Sequence, residues 1–104
     1  MSMLPPVIAR RTLYCRPAGG AERSVNLLVR APIPDPGRAG QWLCEAALEH
    51  LYQDVVQVRG VDSLQALQLA LHAVREALES LLAAGGSLRW ADGSAEMTIE
   101  DLWR

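Results

Sequence analysis

Residues 60–86 read GVDSLQALQLALHAVREALESLLAAGG, and this stretch decides the fold. Its leucines and alanines recur at three- and four-residue spacing, which is typical of an α-helix with an apolar face. Asp62 stands before the apolar run with Gln65 three residues later, an arrangement that favours a helix N-terminus. A glycine pair follows the run, and glycine commonly ends helices because it adopts positive φ without strain. The pattern predicts one long helix over about residues 63–83.

The predicted helix carries more apolar surface than one buried face needs. At 100° per residue its polar side chains occupy an arc of about 100°, and almost all of the remaining arc is apolar. The bulky members of that arc are Leu64, Leu67, Leu71, Val74, Leu78, Leu81 and Leu82. We expect this bulky stripe to face the core, because a side chain of this size contributes about 1.5–3 kcal/mol when fully buried.

A flat stripe of small residues lies beside the bulky one. With one leucine at its edge, it consists of Ala66, Leu69, Ala70, Ala73 and Ala77. One interpretation is that alanine simply favours the helix on a partly exposed flank. The other is that the small residues let the same helix of a second copy approach, because a large exposed apolar patch is unusual on a monomer. This second interpretation predicts a homodimer with these five residues in its interface.

Four strand-like segments precede the helix. Residues 7–15 and 23–31 alternate in polarity around a loop rich in glycine and proline, which predicts a β-hairpin. Residues 53–59 are also strand-like. Residues 41–48 fit a helix by propensity and a strand by alternation. We interpret them as a strand that pairs with residues 53–59 across a turn near residues 49–51, and the helical alternative stays open.

The remaining segments complete an α+β pattern. PIPDPG, residues 32–37, has three prolines and predicts an exposed, extended loop. After the helix, SLRW predicts a short strand before an Asp-Gly turn, and TIEDLWR predicts one helical turn capped by Thr98. The sequence therefore predicts an antiparallel sheet of about four N-terminal strands with one long helix packed across it, then a short strand and a C-terminal turn. A chain of 104 residues fits a single domain, residues 1–104.

Composition and charge narrow the classes of protein. No apolar run approaches the roughly 18 residues that span a bilayer, and the start MSMLPPVIARR lacks the layout of a secretion signal. We therefore expect a cytoplasmic protein without membrane contact. The chain has arginine but no lysine, which favours a GC-rich bacterial genome. Residues 1–40 carry six arginines against two acids, whereas residues 41–104 carry four against ten. We interpret this asymmetry as neutralisation within one fold, with a partner surface as the alternative.

Residues with catalytic or metal-binding chemistry lack the spacing that such sites need. Cys15 and Cys44 form no CxxC arrangement, and we expect two reduced thiols buried on strands. His50 and His72 have no partner at metal-ligand spacing, which favours solvated side chains. No glycine-rich loop has the spacing of a phosphate-binding or dinucleotide-binding motif. We therefore expect that the protein is not an enzyme, and we predict no catalytic, metal-binding or cofactor-binding residue.

Three classes of function stay open. The lack of visible chemistry favours a protein-interaction domain. A small-ligand protein or an enzyme would instead need a pocket between helix and sheet, near Trp42, Trp90 or Trp103. A nucleic-acid accessory protein would use the basic hairpin, whose candidates are Arg10, Arg11, Arg16, Arg23 and Arg30 with Tyr14. Because the whole chain is acidic, nucleic acid is the least favoured of these partners.

Several motifs resemble a family of small bacterial domains of unassigned function, about as long as this chain. They are ARRTL near the start, the PDPG loop, WLC after it, and VRGVDSLQALQLALHAVREAL followed by GGSLRW. The most specific is G-x-D-S-x-Q-A-L, matched by Gly60, Asp62, Ser63, Gln65, Ala66 and Leu67. The resemblance implies several strands before one long helix and brings no catalytic residues. By association alone it suggests an immunity or accessory role.

Overall fold

The computed structural model describes residues 4–51, 55–92 and 95–103. Within these ranges the chain forms six strands and two helices. In chain order they are β1 (Val7–Arg16), β2 (Arg23–Arg30), β3 (Ile33–Pro34), β4 (Trp42–Glu49), β5 (Val56–Gly60), α1 (Ser63–Ala83), β6 (Ser87–Trp90) and α2 (Ile99–Leu102). The strands form one antiparallel sheet, and α1 packs across it. The predicted α+β class is therefore confirmed.

The sheet runs in the order β5-β4-β2-β1-β6, and β3 continues β2 along the same edge of β4. The predicted hairpin of β1 and β2 is confirmed. Val29 pairs with Ala46, whereas Ile33 pairs with Leu43, so the chain between β2 and β3 holds one more residue than the facing strand. This extra residue is a bulge, which bends the edge of the sheet where the proline-rich segment begins. The last strand of the chain, β6, lies beside the first.

Residues 41–48, which fit a helix or a strand by sequence, belong to strand β4, as interpreted. Cys44 and Leu48 are buried on the face toward α1. Glu45 points away from α1 and accepts a hydrogen bond from Gln57 of β5. Burial of one face against a helix therefore outweighs the intrinsic helix propensity of this segment.

The two ends of α1 follow the sequence signals. Asp62 Oδ1 accepts the backbone N–H of Gln65 at 2.8 Å, and the Gln65 side chain accepts the N–H of the residue before Asp62. Gly85 follows the helix with φ of +100°, a conformation that favours glycine. Gly86 lies against β1, where an added Cβ would stand 2.6 Å from the Arg16 carbonyl oxygen. The predicted cap and the predicted glycine stop are both confirmed.

α1 packs on the sheet through its small residues as well as its bulky ones. Its buried positions are Ala66, Ala70, Val74, Leu78 and Leu81. Leu64 is 62 % exposed, so the expectation that the whole bulky stripe faces the core is wrong. The reason lies at the end of β5, where a Cβ on Gly60 would stand 2.6 Å from the Ala66 amide nitrogen. Backbone meets backbone there, and only small side chains fit between the two elements.

The core fills the space between α1 and the face of the sheet beneath it. The strands contribute Leu13, Cys15, Val25, Leu27, Val29, Cys44, Ala46, Leu48 and Leu88. Cys15 and Cys44 are buried free thiols, as predicted, and burial raises the pKa of Cys15 to about 11. Cys15 is therefore protonated at neutral pH. Neither helix of the described ranges has the length and apolar character needed to cross a membrane.

The C-terminal segment returns to the sheet and ends in α2. Thr98 Oγ1 accepts the N–H of Asp101 at 3.4 Å, and Asp101 Oδ2 accepts the N–H of Thr98 at 2.8 Å, so the predicted cap is confirmed. Met97 and Ile99 are buried, which anchors α2 to the core. The short strand after α1 is confirmed as β6. The Asp-Gly turn expected after it includes residue 93, which lies outside the described residues.

The proline-rich segment is not the wholly exposed loop that its sequence predicts. Part of it forms β3, and Asp35, only 8 % exposed, is the next residue. Asp35 Oδ2 accepts a hydrogen bond from Arg59 Nε at 2.6 Å, and Oδ1 accepts the Gly37 N–H at 2.8 Å. These two donors, Arg59 foremost, lower the pKa of Asp35. A buried carboxylate needs such hydrogen-bond partners, and the main one, Arg59, comes from β5, far away in the sequence.

Candidate functional site

The diagonal course of α1 leaves one corner of the sheet to α2. α1 begins over the end of β5, and Gly86, which follows it, lies against Arg16 of β1. The first half of β1 and the end of β2 therefore lie beside α1 rather than under it. A groove of about 270 Å³ remains there, between these strands, α1 and α2. Its lining residues, which define the α2 groove, are Ala9, Arg10, Arg11, Leu27, Val29, Leu71, Leu102 and Trp103.

The walls of the α2 groove are held by interactions between α1 and the C-terminal segment. The guanidinium group of Arg75 lies 5.6 Å from the ring centre of Trp103, within the range of a cation–π contact. Arg75 also pairs with Glu79 at 3.2 Å and with Glu100 at 3.8 Å. These contacts place the Trp103 ring at the opening of the groove instead of in solvent.

The rim of the α2 groove on the β1 side is positively charged. Arg10 and Arg11 are both exposed. The Arg11 guanidinium lies 5.5 Å from the ring centre of Trp90, which orients it beside the groove. No acidic side chain within residues 4–51, 55–92 and 95–103 forms an ion pair with either arginine. Because side chains alternate along a strand, Arg11 lies on the groove face of β1, whereas Arg10, which pairs with Leu28, lies on the other face. An apolar floor and the uncompensated charge of Arg11 thus share one opening, with the charge of Arg10 across the same strand.

Two other grooves lack this combination. The one at the C-terminal end of α1 is larger, about 420 Å³, but Ser80 is the most polar of its lining residues. The one on the opposite face of the sheet, about 310 Å³, has Arg30, Glu45 and Glu49 at its edge. There Arg30 already donates to the Pro5 carbonyl and Glu45 already accepts from a side chain of β5. The α2 groove is therefore the candidate site.

The residues predicted for a dimer interface are not in the α2 groove. Ala66 and Ala70 are fully buried between α1 and the sheet, so neither offers surface to a second copy. Ala77 is partly buried against the core. Leu69, 41 % exposed, and the half-buried Ala73 keep surface on the flank of α1 away from α2. The homodimer stays a prediction, and only these last two residues could contribute substantially to it.

The other sequence candidates are dispersed. Trp103 lines the α2 groove and Trp90 lies behind Arg11, whereas Trp42 pairs with the end of β5. Among the hairpin arginines, Arg23 donates to a turn carbonyl at His50. His72 forms an exposed pair with Glu76 on α1, which agrees with a solvated helix residue. Within the described ranges, no three His, Cys, Asp or Glu side chains are grouped to hold a metal ion.

Sequence reasoning missed the α2 groove because four elements build it. The available signals were the adjacent Arg10 and Arg11 on a strand and the aromatic residue near the C-terminus. Neither signal predicts that β1 and α2 lie on the same side of the sheet. The position of α1 on the sheet determines where α2 can pack. The sequence pattern predicted a core face of α1 made of its leucines, whereas the observed core face includes Ala66 and Ala70.

Comparison with known proteins assigns a family. Neither the curated proteins nor the solved structures include a match to this chain. One family model matches residues 9–99, from the third residue of β1 to the first residue of α2. Its description is "Domain of unknown function (DUF6968)". Since the match includes nearly every element of the fold, the chain belongs to the DUF6968 family of domains of unknown function.

Proposed function

We propose that this domain binds another protein through the α2 groove, with an apolar side chain on the groove floor and acidic groups beside Arg11 and beside Arg10, which lies on the other face of β1. One observation carries the proposal: the apolar floor lies beside the exposed Arg11 side chain, and the exposed Arg10 lies on the other face of the same strand edge. Arginine and tryptophan are enriched where proteins bind one another. An acidic partner would gain both charges without displacing an existing ion pair.

The size of the groove favours a protein partner over a small molecule. Pockets for small ligands enclose about 300–1,000 Å³ and bury most of the ligand. The α2 groove encloses about 270 Å³ and is bounded on one side by the exposed first half of β1. A volume of this size accommodates one or two side chains of a partner. Further contact would come from the surrounding surface, since a stable interface buries about 800 Å² on each partner.

The proposed role is that of an accessory or immunity-type protein, acting in the cytoplasm of a bacterium by binding and without catalysis. The absence of lysine supports a GC-rich bacterial genome. A homodimer through Leu69 and Ala73 is compatible with this role, because those residues flank α1 on the side opposite the α2 groove. Self-association and partner binding would then use separate surfaces.

The test is capture of a partner from an extract of the native host, using the tagged full chain and a charge-reversed variant. The variant is Arg10→Glu with Arg11→Glu. Its control is Arg16→Glu with Arg38→Glu, because both of these arginines are exposed, lie outside the α2 groove and change the net charge equally. We expect a protein that the unmodified chain and the control retain and the groove variant loses. Retention should also weaken as salt screens the two arginines.

Equal recovery of every partner by the groove variant and the control would show that binding does not use the α2 groove. Leu71→Ala gives an independent check of the floor, since Leu71 lines the groove from α1 and is only partly buried. We expect this substitution to weaken capture while the chain stays folded, as judged by circular dichroism. Leu64→Ala is the matched control, because Leu64 lies on the same helix and is 62 % exposed.

A further inference from the structure

The first half of β1 has a neighbouring strand on one edge only. β2 pairs with β1 from Val7 to Cys15. On the opposite edge β6 pairs only with Leu13 through Arg16. Along residues 7–12 no strand of the described ranges occupies this second edge. A row of peptide groups therefore faces outward beside the α2 groove, since Ala9, Arg10 and Arg11 line that groove.

Hydrogen bonds at β6 establish which peptide groups face this edge. The Trp90 N–H donates to the Ala95 carbonyl at 3.2 Å, and the Leu88 carbonyl accepts the Met97 N–H at 3.0 Å. Leu88 and Trp90 thus direct their peptide groups away from β1. Because the direction alternates along a strand, Arg89 directs its groups toward β1, where Tyr14 is its partner.

The same alternation continues along β1. Since Tyr14 directs its N–H and C=O toward β6, Thr12 and Arg10 direct theirs toward the same side, where β6 no longer extends. Ala9 and Arg11 instead direct their peptide groups toward β2. The unpaired edge thus presents the N–H and C=O groups of Arg10 and Thr12, at the spacing that an added strand requires.

We propose that the segment bound at the α2 groove is an extended, acidic stretch of another protein, which adds to the free edge of β1 as an antiparallel strand in line with β6. This proposal rests on the proposed function and specifies its partner. Strand addition is a common mode of peptide recognition, in which main-chain hydrogen bonds give affinity and side-chain pockets give specificity. About five residues would cover the edge, roughly 17 Å at 3.4 Å per residue.

Charge favours another protein over a second copy of this chain as the occupant. In a symmetric antiparallel pair of β1 edges centred on Arg10, the two Arg10 side chains would face one another. Like charges directly opposite on neighbouring strands are destabilising. An acidic residue opposite Arg10 removes this conflict, and its apolar neighbours in the added strand then point toward the α2 groove.

The probes are acetylated and amidated six-residue peptides in which glutamate alternates with valine, leucine or phenylalanine. Control peptides carry lysine in place of glutamate. We expect the acidic peptides to bind the full chain, to change the NMR signal of the Trp103 indole, and to slow amide exchange at Arg10 and Thr12. Exchange at Ala9 and Arg11 should not change, because these amides already belong to the β1–β2 ladder.

The variant that isolates the main-chain bond is Thr12→Pro, compared with Thr12→Ala. Both lose the hydroxyl that contacts Asn26, but only proline removes the N–H that faces the free edge. We expect Thr12→Pro to bind the acidic peptides about tenfold more weakly than Thr12→Ala, because a partner carbonyl loses its donor. Amide exchange in the unmodified chain provides the same information if the proline variant does not fold.

The outcomes separate the two proposals. Peptide binding that changes the Trp103 signal but leaves exchange at Arg10 and Thr12 unaltered would overturn strand addition and retain the groove. Slowed exchange at this edge without any change at Trp103 or Leu71 would retain strand addition and overturn the role of the groove. Equal binding of the acidic and lysine peptides would overturn the acidic character of the segment. No binding of either would overturn strand addition, while loss of captured protein in the Arg10→Glu, Arg11→Glu variant would still support the groove.

Discussion

The two halves of β1 belong to one continuous strand and have opposite surroundings. In the second half, Leu13 and Cys15 are fully buried, with β2 on one edge and β6 on the other. In the first half, residues 8–12 are all exposed and paired with β2 alone. Alternation therefore shows that a segment is a strand, but not which neighbours cover it. One strand contributes core stability at one end and exposed surface at the other.

The strongest way to sharpen this contrast is to truncate one apolar residue in each half. Leu13→Ala removes a fully buried side chain and should lower the free energy of unfolding by about 2–5 kcal/mol. Ile8→Ala changes a side chain that is 52 % exposed and should cost well under that. Urea unfolding followed by circular dichroism measures both. Similar losses for the two variants would contradict the division of β1 into a structural and a surface half.

A smaller effect is expected where α1 meets the second half of β1. Gly86→Ala places a Cβ within about 3 Å of the Arg16 carbonyl and of Leu81, and should cost about 1–3 kcal/mol because the backbone must shift. Gly20→Ala is the matched control, since its nearest neighbours, all atoms of Pro17, are at 3.5 Å or more. Thermal unfolding compares the two variants. If Gly86→Ala is as stable as the control, the contact between this glycine and β1 is not tight.

The smallest effect concerns α2, the element that stands beside the first half of β1. Thr98→Ala removes the hydroxyl that caps α2 and should cost about 1 kcal/mol. Thr98→Ser keeps the hydroxyl and serves as the control. Amide exchange near residues 99–102 should accelerate in the alanine variant alone. Equal exchange in both variants would mean that burial of Ile99, and not the cap, holds α2 in place.

Most elements of the fold could be predicted because their signals are local. The cap at Asp62, the glycine stop at Gly85 and the cap at Thr98 each depend on residues a few positions apart. The strand over residues 41–48 was harder, since propensity and alternation disagreed there. Alternation proved the better guide, because it reports which side chains a neighbouring element buries.

The orientation of α1 could not be predicted from its leucines. Hydrophobicity alone favours the largest side chains for the core, but Gly60 brings β5 so close to α1 that alanine fits best at Ala66, and Ala70 is buried one turn later. The burial of Asp35 could not be predicted either, because its partner Arg59 comes from a strand much later in the chain. The α2 groove combines both difficulties: it requires the helix orientation and the positions of distant elements.

The pairing of β6 with β1 also determines the order in which the molecule can assemble. The contacts within the β1–β2 and β4–β5 hairpins join near neighbours in the chain, whereas the pairing of Leu13 with Trp90 closes a loop that includes all the elements between them, α1 among them. Loop-closure entropy makes such a distant ladder slow to form. A folding intermediate without β6 would expose the whole outer edge of β1 and could pair with other chains. The docking of β6 ends this exposure along Leu13–Arg16, and it leaves uncovered only the short portion of edge that a partner would use.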